Sequence, residues 1–321
     1  MRIYVPNVSS TKIGGGWTFL QNFQKSISKY TDIDIVDSIE QADLLFAFSP
    51  TTIDQVTVAK AKALGKKFVL RMDGIPEDSR NSGKGTIKLT QYSKQADVII
   101  YQTQFVKRTV GAILRQVGIT AQELTIYNGV DQQVFSPDGD KLPFNGKKNI
   151  FHIHYRKDPN KRYEEVVQMY RELWTIRQDV NLVLLGRYPT VWEQYRLGFF
   201  NGEYISRFAP TASKEQIAAV MRSCQLFFDA SFADPSPNVI LEAMACGLPI
   251  MCNQYGGGAE LQGRSAVPIE YSKPLGQQVS DLLDDSERLA QIALENKKTV
   301  ELCNTLEIMA NEYKAVFESI T

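Results

Sequence analysis

SFADPSPNVILEAMACGLPIMC, residues 231–252, follows one apolar run, QLFFDA (225–230), and closes on another, LPIMC (248–252). Short apolar runs of this kind read as buried strands, while the segment between them carries helical spacing and small residues that pack closely. Gly247 ends the helix predicted over 237–246. Strand, helix and strand joined by short connections imply a right-handed crossover and a parallel sheet. Glu242 lies in the first turns of this otherwise apolar helix, eight residues after Asp234. A carboxylate in such surroundings needs a partner, either a salt bridge or the paired hydroxyls of a ligand.

The same alternation extends in both directions. Upstream, RIYV (2–5), DIDIV (32–36), DLLFAF (43–48), KFVLR (67–71), DVIIYQ (97–102) and LTIYN (124–128) read as strands, with helices over 16–30, 52–65 and 103–117. The Pro-, Gly- and charge-rich stretch 136–148 reads as a linker. The pattern then restarts with strands at 149–155, 181–186, 204–208, 225–230, 248–252 and 266–270. Helices are predicted at 161–177, 213–223, 237–246 and 273–284, followed by a helical tail over about 286–320. The expected architecture is α/β: two facing, doubly wound parallel-sheet domains with a cleft between them. The boundaries are 1–140 for the first, joined by a final helix over about 304–321, and 149–303 for the second. Ligands in open α/β sheets bind beyond the carboxyl ends of the strands, so the loops there carry the function.

The 321 residues balance 36 Lys and Arg against 36 Asp and Glu, which argues against a general nucleic-acid partner. No apolar run approaches the roughly 18–20 residues of a membrane span, and the start MRIYVPNVSS reads as a first strand rather than a signal peptide. Cys224, Cys246, Cys252 and Cys303 include no C-x-x-C pair and read as free thiols in a reducing, cytoplasmic setting. His152 and His154 are the two histidines, too few for a metal site without carboxylates. Lys60, Lys62, Lys66 and Lys67 read either as a solvated face or as a weak peripheral contact with anionic lipid at the inner membrane face.

Other segments offer chemistry. Gly14-Gly15-Gly16 follows the first strand and opens a helix, where backbone N–H groups favour an anion, but the spacing is not that of a dinucleotide fingerprint. FVLRMDG (68–74) brings Arg71 and Asp73 to a strand's carboxyl edge. In IYNGVDQQVF (126–135), Asn128-Gly129 suits a turn and Asp131 a helix cap. HYRKDPNKRY (154–163) places Arg156, Lys157, Lys161 and Arg162 after the first strand of the second domain; it reads as a diphosphate clamp or a solvated charge run.

Taken together, the Gly-rich loop, IYNGVDQQVFSP, HYRKDPNKRYEEVV, LVLLG and SFADPSPNVILEAMACGLPIMC resemble the retaining glycosyltransferases of family four, which have the GT-B fold. The last segment is the most specific, and the resemblance runs in order along nearly the whole chain. It implies that Glu242 binds the ribose hydroxyls of a nucleotide-sugar donor and that Asp234 faces hydroxyls of the donor sugar. Arg156 and Lys161 match the basic pair that holds the diphosphate and stabilises its charge as it leaves, so neither a divalent metal nor a cofactor is required. Gly15 and Gly16 match the loop that approaches donor and acceptor. Asn238 and Val239, with Gly186, Arg187, Phe208 and Ala209, fall among the donor-binding positions. The implied partners are the donor, held mainly by the second domain, and an acceptor hydroxyl on a sugar, glycan or lipid-linked molecule that approaches from the first, with domain closure around them.

Departures from the family pattern are specific. The first acid is Asp234 rather than Glu, and Pro235 and Pro237 remove N–H groups from its loop. No histidine precedes His152, so the first-domain His of many members is absent, and Asp73 takes its place in shaping the acceptor or sugar site. His154 reads as a phosphate contact or as core packing. The rival reading is a sugar-nucleotide-binding subunit with weak or lost catalysis.

Overall fold

A computed structural model describes residues 1–7, 14–74, 84–144, 147–154, 159–186, 205–208 and 213–321. The chain forms two compact units: Met1–Val130 with Pro235–Asn238 and Cys303–Thr321, and Asp131–Asp234 with Val239–Leu302.

In the first unit the strands are β1 (Arg2–Tyr4), β2 (Asp34–Val36), β3 (Leu44–Ala47), β4 (Lys67–Met72), β5 (Val98–Tyr101) and β6 (Gln122–Thr125). They pair in parallel in the order β2-β1-β3-β4-β5-β6. Every residue of β3 and β5 is buried, which is why LLFA and VIIY are unbroken apolar runs. Helices cover both faces. Phe19, Phe23 and Ile27 of α1 (Gly15–Tyr30) pack with Met309, Tyr313 and Phe317 of the last helix, α11 (Leu306–Ile320). On the other face lie α2 (Gln55–Ala63), α3 (Lys84–Ser93) and α4 (Gln104–Gln116), through Val58, Leu89, Val106 and Leu114. Helix α3 is absent from the sequence-based assignment because its apolar residues do not form one face: Leu89 and Tyr92 are buried, but Ile87 is exposed.

The second unit holds β7 (Lys148–His154), β8 (Val180–Gly186), β9 (Ile205–Phe208), β10 (Leu226–Asp229), β11 (Ile250–Cys252) and β12 (Val267–Pro268). Its parallel order, β12-β11-β10-β7-β8-β9, is the doubly wound order in which the winding reverses between β7 and β10. Its helices are α5 (Tyr163–Ile176), α6 (Lys214–Arg222), α7 (Asn238–Ala245), the short α8 (Gly257–Gln262), α9 (Leu275–Asp284) and α10 (Ser286–Cys303). Val166, Tyr170 and Leu173 of α5 form one core with Val279 and Leu282 of α9.

The first unit ends at Val130, before the 136–148 stretch read as a linker. That stretch is attached to the second unit. Arg222 donates to the carbonyls of Val134, Ser136 and Asp140 at 3.4, 3.3 and 2.9 Å, and Ser223 Oγ accepts from the Leu142 N–H at 2.6 Å. The helical tail is broken at Asn304 and Thr305, where Thr305 caps α11 by accepting from the Ile308 N–H at 3.1 Å. There the chain returns to the first unit through a parallel bridge between Val130 and Thr305. Gly129 permits this approach, since a Cβ on it would stand 2.7 Å from the Thr305 carbonyl oxygen. No helix among the described residues is long and apolar enough to cross a membrane.

Candidate active site

In the second unit the winding reversal puts the loops after β7 and β10 side by side, and Lys161 and Asp234 come from those two loops. Lys161 Nζ donates to Asp234 Oδ2 at 2.7 Å, and both side chains are partly buried. Beneath them, buried Asp229 ends β10 and accepts from the N–H of Ser231 at 3.1 Å and from its hydroxyl. Burial raises the Asp229 carboxyl above the usual range, opposed by Lys161 and by the Ser231 hydroxyl. The backbone is constrained here: Arg162 and Ala233 have φ of 47° and 55°, in the left-handed region that side chains rarely adopt. Gly256 backs Asp234 closely, with its Cβ position 3.0 Å from the Asp234 carbonyl oxygen.

Glu242 lies on α7 among Ile240, Leu241, Ala243 and Met244, all buried. Burial pushes its carboxyl up to about 7, partly offset by Lys214. Among the described residues no ion pair or hydrogen bond engages this carboxyl. In its charged form this carboxylate can only accept hydrogen bonds, which hydroxyl groups can donate.

The first unit assembles its own polar cluster at the carboxyl edge of β4, β5 and β6. Arg71 is 1% exposed, and its guanidinium donates to the Phe48 carbonyl at 3.2 Å, Gln102 Oε1 at 2.6 Å and Asn128 Oδ1 at 3.0 Å. It also holds the Asp73 carboxylate and lies 3.7 Å from the centre of the Phe19 ring. Gln102 Nε2 fixes the Asp73 carbonyl at 2.6 Å. Asp73 thus keeps one carboxylate edge on Arg71, and Oδ2 lies 3.6 Å from the Cβ position of Gly16. Of the three glycines, Gly14 is the one whose backbone demands the residue, with φ 139° at the cap of α1; Gly15 and Gly16 are uncrowded. Asn238 belongs to this unit, where its side chain accepts from Asn128 Nδ2 at 2.8 Å and donates to the Gly15 carbonyl at 3.0 Å.

The sequence-predicted residues therefore divide between the two units, with Lys161 and Asp234 brought into direct contact. Gly15, Gly16, Asp73 and Asn238 are in the first; Lys161, Asp234, Val239 and Glu242 are in the second. Asn238, read as a donor contact, has its amide committed to Asn128 and Gly15. Arg156, Lys157, Arg187 and Ala209 lie outside the described residues, as do the side chains of His154 and Phe208; Gly186 ends β8 with φ 119°. His152 is buried and donates from Nδ1 to the Phe228 carbonyl at 3.0 Å, a packing role. The four cysteines are unpaired, and Cys224, Cys246 and Cys252 are buried. Three of the four clustered lysines are in ion pairs, Lys60 with Glu40 and Lys62 and Lys67 with Asp97. Arg71 is the residue the sequence reading left open: its place in FVLRMDG was visible, but its burial follows from strand order.

Two doubly wound parallel sheets in one chain, with a cation and a carboxylate at the reversal of the second, are the architecture of a GT-B glycosyltransferase. The pattern of the glycosyl transferases group 1 matches residues 136–299, and the chain belongs to that family. Among solved structures, it is similar to Anabaena HepE in complex with UDP and glucose, at 17% identity and TM-score 0.75, covering 99% of each chain. Sucrose-phosphate synthase from Thermosynechococcus elongatus superposes with TM-score 0.78 at 14% identity, over 99% of this chain and 98% of that one. Trehalose 6-phosphate synthase from Burkholderia multivorans does so with TM-score 0.68 at 14% identity, over 94% and 83%. A search of curated protein sequences finds no match.

Proposed function

We propose that the protein is a retaining, metal-independent transferase that moves a sugar from a nucleotide-diphospho-sugar to an acceptor hydroxyl on a sugar, glycan or lipid-linked molecule. The observation that carries this reading is the Lys161–Asp234 pair at the winding reversal of the second sheet, 2.7 Å apart. Lys161, with Arg156 before it, stabilises the diphosphate as the bond from the anomeric carbon to the phosphate oxygen breaks and negative charge collects on the leaving group. The acceptor oxygen bonds to the same carbon on the face the diphosphate leaves, which keeps the configuration, and its proton passes to the departing diphosphate oxygen. Asp234 faces hydroxyls of the transferred sugar, and the Glu242 carboxylate takes the ribose hydroxyls. Val239, Arg187 and Phe208 border the nucleotide. Gly15 and Gly16 offer backbone to the substrates, and Asp73 shapes the acceptor or sugar site. The unpaired cysteines fit a reducing cytoplasm.

HepE is crystallised with UDP and with UDP-glucose, so UDP-glucose is the first donor to try. The test measures donor binding, donor hydrolysis and transfer in Glu242→Ala and Lys161→Ala. Loss of the hydroxyl contacts weakens donor binding by ~10–100-fold in the first. Loss of the cation lowers turnover by ~100–1,000-fold in the second. Wild-type binding and turnover in both variants overturn the reading. A sugar-nucleotide-binding subunit is the second reading, favoured by Asp234, which is one methylene shorter than Glu and already engaged by Lys161. Binding without turnover across donors and acceptors selects it.

A further inference from the structure

Among the described side chains, the exposed aromatic ones are Phe232, Tyr255 and Tyr271, at 37%, 59% and 44% exposure, and all three belong to one patch. Each comes from a different loop: Phe232 follows β10, Tyr255 follows β11 and Tyr271 follows β12. These strands are neighbours in the second sheet, and the rings stand at their carboxyl ends, the edge where open α/β sheets receive ligands. Arg162, from the loop after β7, completes the group. Its guanidinium lies 4.7 Å from the centre of the Phe232 ring and 5.7 Å from that of Tyr271. The Phe232 and Tyr255 rings are 5.9 Å apart at 46°.

The patch is built rather than loose. The Phe232 N–H donates to the Asn160 carbonyl at 2.7 Å and the Ala233 N–H to the Tyr255 carbonyl at 2.7 Å, so backbone bonds tie three loops together. Asn253 Nδ2 donates to the Tyr271 hydroxyl at 3.0 Å, and Glu165 holds Arg162 at 2.6 Å. The left-handed backbone of Arg162 and Ala233 aims these side chains at a cost. A solvated surface has no need to gather its exposed rings, fix them and brace them with a cation. The patch also adjoins the Lys161–Asp234 pair, one residue from Arg162 and two from Phe232.

We propose that Phe232, Tyr255 and Tyr271 form a pyranose-binding platform for a saccharide acceptor. A pyranose presents an apolar face of C–H groups and a rim of hydroxyls. Aromatic faces meet the first, and the Tyr255 hydroxyl and the Arg162 guanidinium meet the second. The designation of that ring as the acceptor rests on the glycosyl-transfer reading above; the binding of a sugar to the platform does not.

Ligand-observed saturation-transfer NMR tests it on the full chain with methyl β-glucoside, methyl β-galactoside, methyl α-mannoside, maltose and cellobiose. The expected result is saturation of ring C–H protons in at least one of these sugars and a Kd at least tenfold weaker in Tyr255→Ala. Tyr255 is exposed, so its fold is safe, and Tyr255→Trp restores binding. In transfer assays Tyr255→Ala raises the acceptor KM at least tenfold with a smaller change in kcat. No saturation with any of the five sugars, or an unchanged Kd in Tyr255→Ala, overturns the proposal. So does sedimentation showing a dimer that Tyr255→Ala converts to monomer, since the patch is then a surface between two copies. A UDP-glucose thermal shift separates the two readings: sugar binding without donor binding defeats the transfer reading alone, and donor binding without sugar binding defeats the platform alone.

Discussion

Glu242 shows how one side chain couples stability and binding to pH. Burial lifts its carboxyl from 4.5 to about 7. The folded chain therefore holds this proton more tightly than the unfolded chain, so the contribution to stability is complete below pH 4.5 and is lost as pH rises to about 7. Glu242→Gln cannot ionise, and it should raise Tm at pH 8 by ~3 °C while leaving Tm at pH 5 nearly unchanged. Hydroxyl donors need the ionised form, so the affinity for UDP should increase with pH up to about 7, and the Gln variant should flatten that dependence. Arg71 is the opposite case, a permanent charge that is buried and engaged through both terminal nitrogens. Lysine cannot reproduce its planar fork of donors to Phe48, Gln102, Asn128 and Asp73. Arg71→Lys should cost ~3–5 kcal/mol in urea unfolding, because several buried acceptors lose their donor at once. The acids of the candidate site were legible in sequence, since Asp234 and Glu242 stand at a fixed spacing around a loop and helix. The platform was not: Phe232, Tyr255 and Tyr271 are separated in sequence, and strand order alone brings them together.

At the scale of elements, close approach decides more than propensity does. Helix α9 meets α5 at Gly276, where a Cβ would stand 2.2 Å from the Leu173 backbone nitrogen and 2.6 Å from the Glu172 carbonyl carbon. Backbone cannot yield as a flexible side chain can, so Gly276→Ala should destabilise by ~2–3 kcal/mol or more, read from denaturant midpoints at an unchanged slope. Core strands such as β3, β5 and β8 were legible because burial on both faces demands unbroken apolar runs. Interruptions were harder to read. The division of the tail into α10 and α11 hangs on Thr305 and its cap, and α8 spans only Gly257–Gln262, opening on two glycines behind a third at its cap. Short helices of this kind owe their existence to tertiary contacts, not to periodicity.

At the scale of the whole molecule, the last helix is part of the first unit's interior. Tyr313 and Phe317 are fully buried, and Phe23 and Phe46 lie 5.1 and 5.4 Å from the Tyr313 ring. Deleting residues 303–321 should uncover this aromatic core. The expected outcome is strong binding of a hydrophobic dye and loss of the calorimetric transition of the first unit. A dye-silent, cooperatively unfolding deletion variant would contradict the packing described for α11.

The bridge between Val130 and Thr305 has a consequence for synthesis. Residue 130 leaves the first unit beside the point where residue 305 re-enters it, so most of the second unit is an insertion between two adjacent backbone positions. A ribosome delivers the six strands of the first sheet before the second unit, yet the helix that seals one face of that sheet emerges only after it. The first unit must wait, with Phe19, Phe23 and Phe46 unsealed, until the entire second unit has been made. The second unit can therefore close before the first, whose core joins residues made before the second unit to residues made after it.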